Sequence, residues 1–346
     1  MRSVRIIAFP KSGIAYNECF YNAVEALHCE VVDGIFTGNW LRHNLRPGDW
    51  MHLHWPSFYY GPKVGIWRSF SGISRFCLLI LYARARGTRL LWTAHNLLPH
   101  ERSPQFPYLD IWARHFVIAM AFKIYVHGQV TEKLLIEQFP QTQGKTVVIP
   151  HGNWIYHYPN TLTKERAREI LGIDPQAYVY LFIGLCRPYK NLHGLVQSFS
   201  SLAGENLRLV IAGKFQESSY LAHIAQLSGR DSRILLRPGF VADADLQLYL
   251  KACNAVVAPY LDILTSGTAM LAMGFGRPLL SIQAGFLLDV VTPDCGVLFD
   301  RDSKQGLSKG LVSIQRGHYQ EQKIMDTAKR YTFEDAAAVF VRSLTI

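Results

Sequence analysis

The stretch Tyr178-Val-Tyr-Leu-Phe-Ile183-Gly184-Leu-Cys-Arg187-Pro-Tyr-Lys190-Asn191 decides how the rest of the chain reads. Six β-branched, aromatic or aliphatic residues in a row, with no polar alternation, describe a strand buried on both faces. Gly184 then permits a tight exit from the strand. Arg187 and Lys190 follow where a helix is about to start, over 192–202. A doubly buried strand running straight into a helix is a βα unit of a parallel sheet, and such sheets bind ligands beyond the carboxyl ends of their strands. A fork-shaped guanidinium beside a point-charge ammonium suits a diphosphate there; the alternative is a solvated basic turn.

Outward from this stretch the same alternation continues. Strand-like runs occupy 207–212, 234–238, 255–258 and 278–281, with helical stretches at 220–227, 244–252 and 266–273. The first half repeats the habit, with strands over 4–9, 50–54, 89–93, 123–126 and 146–149 and helices over 16–27, 66–84, 111–121 and 131–139. Pro, Asn and His interrupt the pattern over 151–163. The expected fold class is therefore α/β, with two Rossmann-like domains, 1–155 and 156–330, facing a cleft. A last helix within 331–346 is expected to pack back on the first domain.

Composition agrees with a folded chain of this size. The 346 residues are 49% hydrophobic and only 18% charged, which excludes a mainly disordered chain and exceeds one ordinary core. The six cysteines are widely spaced, with no CxxC pair, and read as reduced core residues of a cytosolic protein. The formal net charge of +10 favours anionic partners. Nucleic acid is not expected, because no recognition helix, RNP-like strand or zinc module accompanies the charge. No run approaches a membrane span; the nearest, 66–82, carries Arg68 and Arg75. It reads as an amphipathic helix, either interfacial or a core helix with a basic edge.

A second anion site is expected where the strand 255–258 leads through Thr265-Ser266-Gly267-Thr268 into an apolar helix. Free N–H groups and the helix dipole attract negative charge there, although a plain Ser/Thr cap has the same appearance. Gly267 would admit a ligand to the backbone. After 234–238, backbone groups at Phe240 and Val241 are placed to read a nucleobase edge. In the first half, Pro10-Lys-Ser-Gly13-Ile-Ala-Tyr-Asn17 is a glycine-containing loop for donor phosphate (Gly13) or acceptor (Asn17). It is not GxGxxG, a Walker loop is absent, and no GxSxG elbow is present. His52-Leu-His54-Trp55-Pro56, Thr93-Ala-His95-Asn96-Leu-Leu-Pro-His100-Glu101 and His151-Gly152 end three strands. Their polar groups are read as acceptor contacts (His54, Trp55, Asn96, His100, His151) or general bases, with structural capping the alternative. A metal cage of His52, His54, His95, His100 and Glu101 lacks a matching acidic pair.

On these strings, together with Gly184-Leu-Cys-Arg-Pro-Tyr-Lys190 and Ser266-Gly-Thr268, most of the chain resembles the bacterial exopolysaccharide GT-B β-glycosyltransferases, the xanthan-pathway β-1,4-mannosyltransferases in particular. In the large retaining GT-B branch an Arg and a Lys hold the donor diphosphate, and Arg187 and Lys190 fall at those positions. That branch carries two glutamates eight residues apart. Here the second place holds Leu271 and the first is at best approximated by Asp262, a departure from retention. The resemblance implies inverting transfer of a hexose from GDP-mannose, a UDP-hexose or UDP-glucuronate to a polyprenyl-diphosphate-linked oligosaccharide in exopolysaccharide synthesis. It implies a peripheral location on the inner face of the cytoplasmic membrane. The basic first half fits: residues 1–155 hold 16 Lys and Arg against 9 Asp and Glu.

Inversion by single displacement needs a base for the acceptor hydroxyl and electrostatic stabilisation of the leaving diphosphate. Arg187, Lys190 and the 265–268 turn are assigned the second task. The base is expected among Glu101, His95 and Asp262, with Glu101 preferred for lying in the acceptor half. With no DxD-type pair, no metal or other cofactor is expected. A non-catalytic sugar-nucleotide or lipid-binding protein, a retaining enzyme of the same fold and an epimerase are the rival readings.

Overall fold

The computed structural model describes residues 4–61, 66–98 and 107–344. The chain divides into two units, one of residues 1–152 with 332–346, the other of residues 153–331. Each is built on a six-stranded sheet whose mapped pairings are all parallel.

The first sheet comprises β1 (Arg5–Phe9), β2 (Glu30–Asp33), β3 (Trp50–Leu53), β4 (Arg89–Thr93), β5 (Ala121–Val126) and β6 (Thr146–Val148). Their order is β2-β1-β3-β4-β5-β6, so the winding reverses between β1 and β3. Ile7, Phe9, Met51, Leu53, Trp92, Ile124 and Val126 pack with Phe76, Ile80 and Val117 of the helices Ile66–Ala85 and Pro107–Met120 in one continuous core. The opposite face is covered by helix Ala15–Ala26 and the chain's last helix, Phe333–Leu344. Phe340 explains the return of that helix: its ring lies 5.1 Å from Phe20, 4.7 Å from Tyr125 and 5.0 Å from His52. Ser343 adds a hydrogen bond with the Tyr125 hydroxyl at 2.8 Å. Truncating a fully buried phenylalanine of this kind costs about 3–5 kcal/mol.

The second sheet comprises β7 (Tyr178–Ile183), β8 (Leu207–Gly213), β9 (Ile234–Pro238), β10 (Ala255–Ala258), β11 (Leu279–Ile282) and β12 (Gly296–Phe299), in the order β12-β11-β10-β7-β8-β9. This winding reverses between β7 and β10. β7 is buried along nearly its whole length, as its unbroken apolar run implies. Asn153, Trp154 and Ile155, assigned to the first domain on sequence, fold with this unit. The Asn153 amide donates to the Ala328 and Tyr331 carbonyls at 3.0 and 2.6 Å, and Ile155 packs with Met273, Cys295 and Ile324.

Two strands are additional to those read from the sequence, β2 and β12, and both are edges. An edge strand needs only four residues and one apolar face, so Glu30-Val-Val-Asp33 carries charge at both ends and leaves little signal. No described helix is long and apolar enough to cross a membrane.

Candidate functional site

In the second unit the carboxyl ends of β7 and β10 flank the point of reversed winding, where an open α/β sheet leaves room for a ligand. Gly184 leaves β7 at φ 127°, a conformation that favours glycine. A Cβ built on it would lie 3.5 Å from the Lys190 Nζ and 3.9 Å from the Thr268 Oγ1. The ammonium from the β7 turn and the hydroxyl from the β10 turn thus flank one point on the chain. Lys190 closes the short turn Pro188–Lys190, and Asn191 follows in the left-handed region. The Asn191 side chain accepts from the Gly194 amide at 3.1 Å and so starts helix Leu192–Ser200. The Lys190 ammonium lies 5.8 Å from the Phe182 ring and 5.5 Å from the Tyr260 ring. Among the described residues no carboxylate pairs with it. A cation held by aromatic faces keeps its charge for an anion.

Helix Gly267–Gly274 begins beside it. The Ser266 hydroxyl is the cap, accepting from the Ala269 amide at 3.2 Å, and Ser266 is buried. The amides of the first turn and the positive end of the helix add to Lys190. Thr265 and Thr268 are half-buried. Gly267 has a reason other than ligand access: a Cβ there would stand 3.0 Å from the Trp154 indole. Arg187 is half-buried just ahead of the Pro188–Lys190 turn, with extended backbone at φ −128°. Phe240 is exposed and Val241 half-buried after β9, on the side of the sheet away from β10. Asp262 is exposed and faces the Arg301 guanidinium at 3.4 Å. Leu271 sits within helix Gly267–Gly274.

In the first unit the carboxyl ends of β3, β4, β5 and β6 bring five histidines together. Extended backbone puts residues i and i+2 on one face, and the His52 and His54 rings lie 4.4 Å apart. Tyr21 of helix Ala15–Ala26 joins them, its hydroxyl 2.8 Å from the His52 Nδ1 and 2.7 Å from the His54 Nε2. The chain of bonds continues from His52 Nε2 to Thr93 Oγ1 at 2.8 Å and from His54 Nδ1 to His95 Nε2 at 2.9 Å. His127 stands 5.3 Å from His95 and 4.9 Å from His151, ring to ring, and Tyr16 meets His95, His127 and His151 edge-on or tilted. Trp55 stacks on His95 at 4.3 Å.

Burial dominates the protonation of this cluster. It lowers the His52 pKa to about 3 and that of His151 to about 4, and it holds His54, His95 and His127 well below the usual imidazole range, with neighbouring imidazoles adding to the effect. The rings are therefore neutral near pH 7, each with one donor and one acceptor nitrogen. Tyr21 has one proton, which it gives to either His52 or His54. Whichever way it points sets the tautomer of His54 and, through it, of His95.

These contacts change several sequence assignments. His54 and His151 are buried, and the bonded positions of His54 are taken, so neither is an open acceptor contact. Asn17 is fully buried, and its amide donates to the Pro10 carbonyl at 2.6 Å, which fastens the loop after β1. Gly13 is not a phosphate contact in this arrangement: its amide donates to the Glu18 carboxylate at 2.7 Å, while Asp33 accepts from the Lys11 amide at 2.7 Å and from Ser12. Two carboxylates at that loop oppose a phosphate. Trp55 and Asn96 retain exposed surface. His100 and Glu101 lie outside the described residues. Among the described residues no group of three or more His, Cys, Asp or Glu is arranged to hold a metal ion. Tyr21, His127 and Trp154 were missed on sequence. The buried stripe Tyr16, Phe20, Tyr21, Val24 contains the signal for Tyr21, a hydroxyl on an apolar helix face.

Residues 163–331 match the model of the family glycosyl transferases group 1. A GDP-mannose:glycolipid 4-β-D-mannosyltransferase of Xanthomonas campestris pv. campestris is 27% identical over 275 residues, which cover 78% of this chain and 72% of the relative. Among solved structures, HepE of Anabaena in complex with UDP and glucose is 16% identical, with a TM-score of 0.71 over 99% of both chains. Sucrose-phosphate synthase of Thermosynechococcus elongatus is 15% identical, with a TM-score of 0.75 over 99% of this chain and 98% of its own. At such identities the structural likeness is one of fold.

Proposed function

We propose that this chain, a nucleotide-sugar-dependent glycosyltransferase of the GT-B fold whose residues 163–331 match the group 1 family model, moves a hexose, with inversion, onto a polyprenyl-diphosphate-linked oligosaccharide at a membrane surface in exopolysaccharide synthesis. GDP-mannose is the first donor to try, because the Xanthomonas relatives carry it in their name; a UDP-hexose or UDP-glucuronate is the alternative. The observation that carries the donor assignment is the approach of Lys190 Nζ and Thr268 Oγ1 to one point beside Gly184, at the sheet's reversal.

In this reading the acceptor hydroxyl attacks the anomeric carbon as the bond to the β-phosphate oxygen breaks. Negative charge grows on the leaving diphosphate. Lys190, Arg187, Thr268 and the first amides of helix Gly267–Gly274 stabilise it. Phe240 and Val241 serve the nucleobase. Inversion is supported by Leu271, where the retaining branch has its second glutamate, and by Asp262, whose carboxylate is engaged with Arg301. Glu101 takes the acceptor proton, Trp55 and Asn96 contact the acceptor, and His95 positions it. No metal is required, since lysine, arginine and a helix terminus supply the positive charge.

The test is a thermal-shift comparison of GDP, UDP and their sugars, followed by product analysis with a lipid-linked acceptor and labelled donor. Stabilisation by one nucleoside diphosphate raises the melting temperature by mass action. Transfer of label to the lipid with an inverted anomeric centre is the expected product. Label released only as free sugar, or a retained centre, would overturn the proposal.

A further inference from the structure

The amino ends of β7, β10 and β11 lie at the edge of the second sheet opposite the Lys190 and Thr268 turns, about 20 Å away along β7. Four basic side chains gather at that edge. Lys164 and Arg168 stand one turn apart on helix Lys164–Leu171. Lys251 is in the last turn of helix Leu246–Ala252, and Arg277 leads into β11. Glu321 is the carboxylate that meets them, 3.3 Å from the Arg277 Nη2 and 3.6 Å from the Lys251 Nζ. Glu165 is exposed, and the Asp174 carboxylate accepts from the Gln176 amide at 2.7 Å. Among the described residues no carboxylate pairs with Lys164 or Arg168. Arg168 is buried and donates to neutral groups, from Nε to the Ala252 carbonyl at 3.0 Å and from Nη2 to the Asn254 Oδ1 at 2.7 Å. The Arg277 Nε is buried with no hydrogen-bond partner. The buried Cys253 thiol is no counterion: burial pushes it up to about 11, against the pull of Arg277, Lys164 and Arg168. Cations held this close repel one another. Burial, then Arg168 and Arg277, holds the Lys164 ammonium below the usual lysine range, and burial, then Arg277, lowers Arg168.

We propose that this edge of the second unit binds a small phosphate-bearing anion, at a site separate from the diphosphate site. Such an anion offers the acceptor oxygens that the Arg277 Nε and the Lys164 ammonium lack. It also removes the repulsion among three cations at once, whereas Glu321 neutralises one charge of four. A guanidinium fork beside a point-charge ammonium is a pairing that phosphate satisfies. The position gives the site a consequence. Helix Lys164–Leu171 is the first helix of the second unit and Glu321–Ala328 the last. An anion held by Lys164 and Arg277 ties the first helix to the side chain that Glu321 grips, so occupancy joins the two ends of the unit. The proposal is independent of which sugar is transferred and of the acceptor.

The experiment follows thermal unfolding of the full chain against inorganic phosphate, with sodium chloride at matched ionic strength as the reference, and calorimetric titration gives Kd. Binding raises Tm in a saturable way; exclusion of phosphate from the surface raises it without saturation. Lys190→Met, which removes the ammonium of the donor turn, should keep the saturable response. Lys164→Met should weaken phosphate binding roughly ten-fold or more, the loss of one charge-assisted bond, and Lys164→Arg should restore most of it. Without phosphate, Lys164→Met should melt no lower than the wild type, because a source of repulsion is gone. Glu321→Gln should bind phosphate more tightly than the wild type, because the competitor for Arg277 is gone. Glycerol 3-phosphate run in parallel separates a phosphate monoester from the free ion, and the tighter of the two gives the source of the anion. A response without saturation and equal in every variant would overturn the proposal. So would a response that Lys190→Met abolishes and Lys164→Met leaves unchanged.

Discussion

Replacing Gly184 by alanine places a methyl carbon 3.5 Å from the Lys190 Nζ and 3.9 Å from the Thr268 Oγ1. Two costs follow, and they separate. The first is conformational: a side chain at φ 127° is strained, by about 1–3 kcal/mol for such a residue. In a domain of this length that lowers Tm by roughly 2–10 °C. The second is felt only with ligand. A phosphate oxygen bonded to an ammonium sits at about 2.7–2.9 Å, inside the shell the methyl carbon would fill. Losing that one charge-assisted bond costs about 1.5–3 kcal/mol, or about 10- to 150-fold in Kd. Calorimetric titration with GDP and UDP, run well below both melting temperatures, reads the second cost alone. An alanine variant that melts lower but binds both nucleotides like the wild type would refute the reasoning, because the space beside Gly184 would then not hold the diphosphate.

Tyr21→Phe removes the hydroxyl between His52 and His54 and should destabilise the first unit by about 1–3 kcal/mol in urea titrations. Turnover should fall with little change in donor affinity, since the tautomer of His95 is no longer set; a variant with wild-type stability would contradict the bonding described. Acid should destabilise the same unit. The folded pKa values of His52, about 3, and His151, about 4, lie below the unfolded value, so the unfolded chain takes up protons first. Their stabilisation is complete above about pH 6.5 and is lost as pH falls toward about 4, by about 1.4 kcal/mol per pH unit for each. Thermal unfolding from pH 7.5 to 5 measures this, and a flat profile would count against neutral buried imidazoles. Transfer should survive EDTA in full; a loss restored by Mn²⁺ would overturn metal independence.

Much of the fold was legible because β7, β10 and their neighbours are doubly buried and therefore read as unbroken apolar runs. The edge strands β2 and β12 were not: Glu30-Val-Val-Asp33 is charged at both ends, and Gly296-Val-Leu-Phe299 is a four-residue run that opens on glycine. The β7 and β10 turns were legible as basic and Ser/Thr-rich segments after strands. What could not be read was which polar groups are consumed by the protein itself. Gly13 and Asn17 are engaged by Glu18 and Pro10, His54 by Tyr21 and His95, and Gly267 makes room for Trp154. Each of these depends on a residue 5 to 113 positions away. A sequence string ranks residues by type, whereas a site is defined by the groups left over after folding.

The central claim is that the ammonium of Lys190 and the turn around Thr268 hold a diphosphate. Its most direct measurement is the ratio of GDP to GMP affinity, and of UDP to UMP, for the wild type and for Lys190→Met. A preference for one diphosphate of roughly ten-fold or more is expected in the wild type, reduced toward unity in the variant. A preference that survives the substitution undiminished would contradict it.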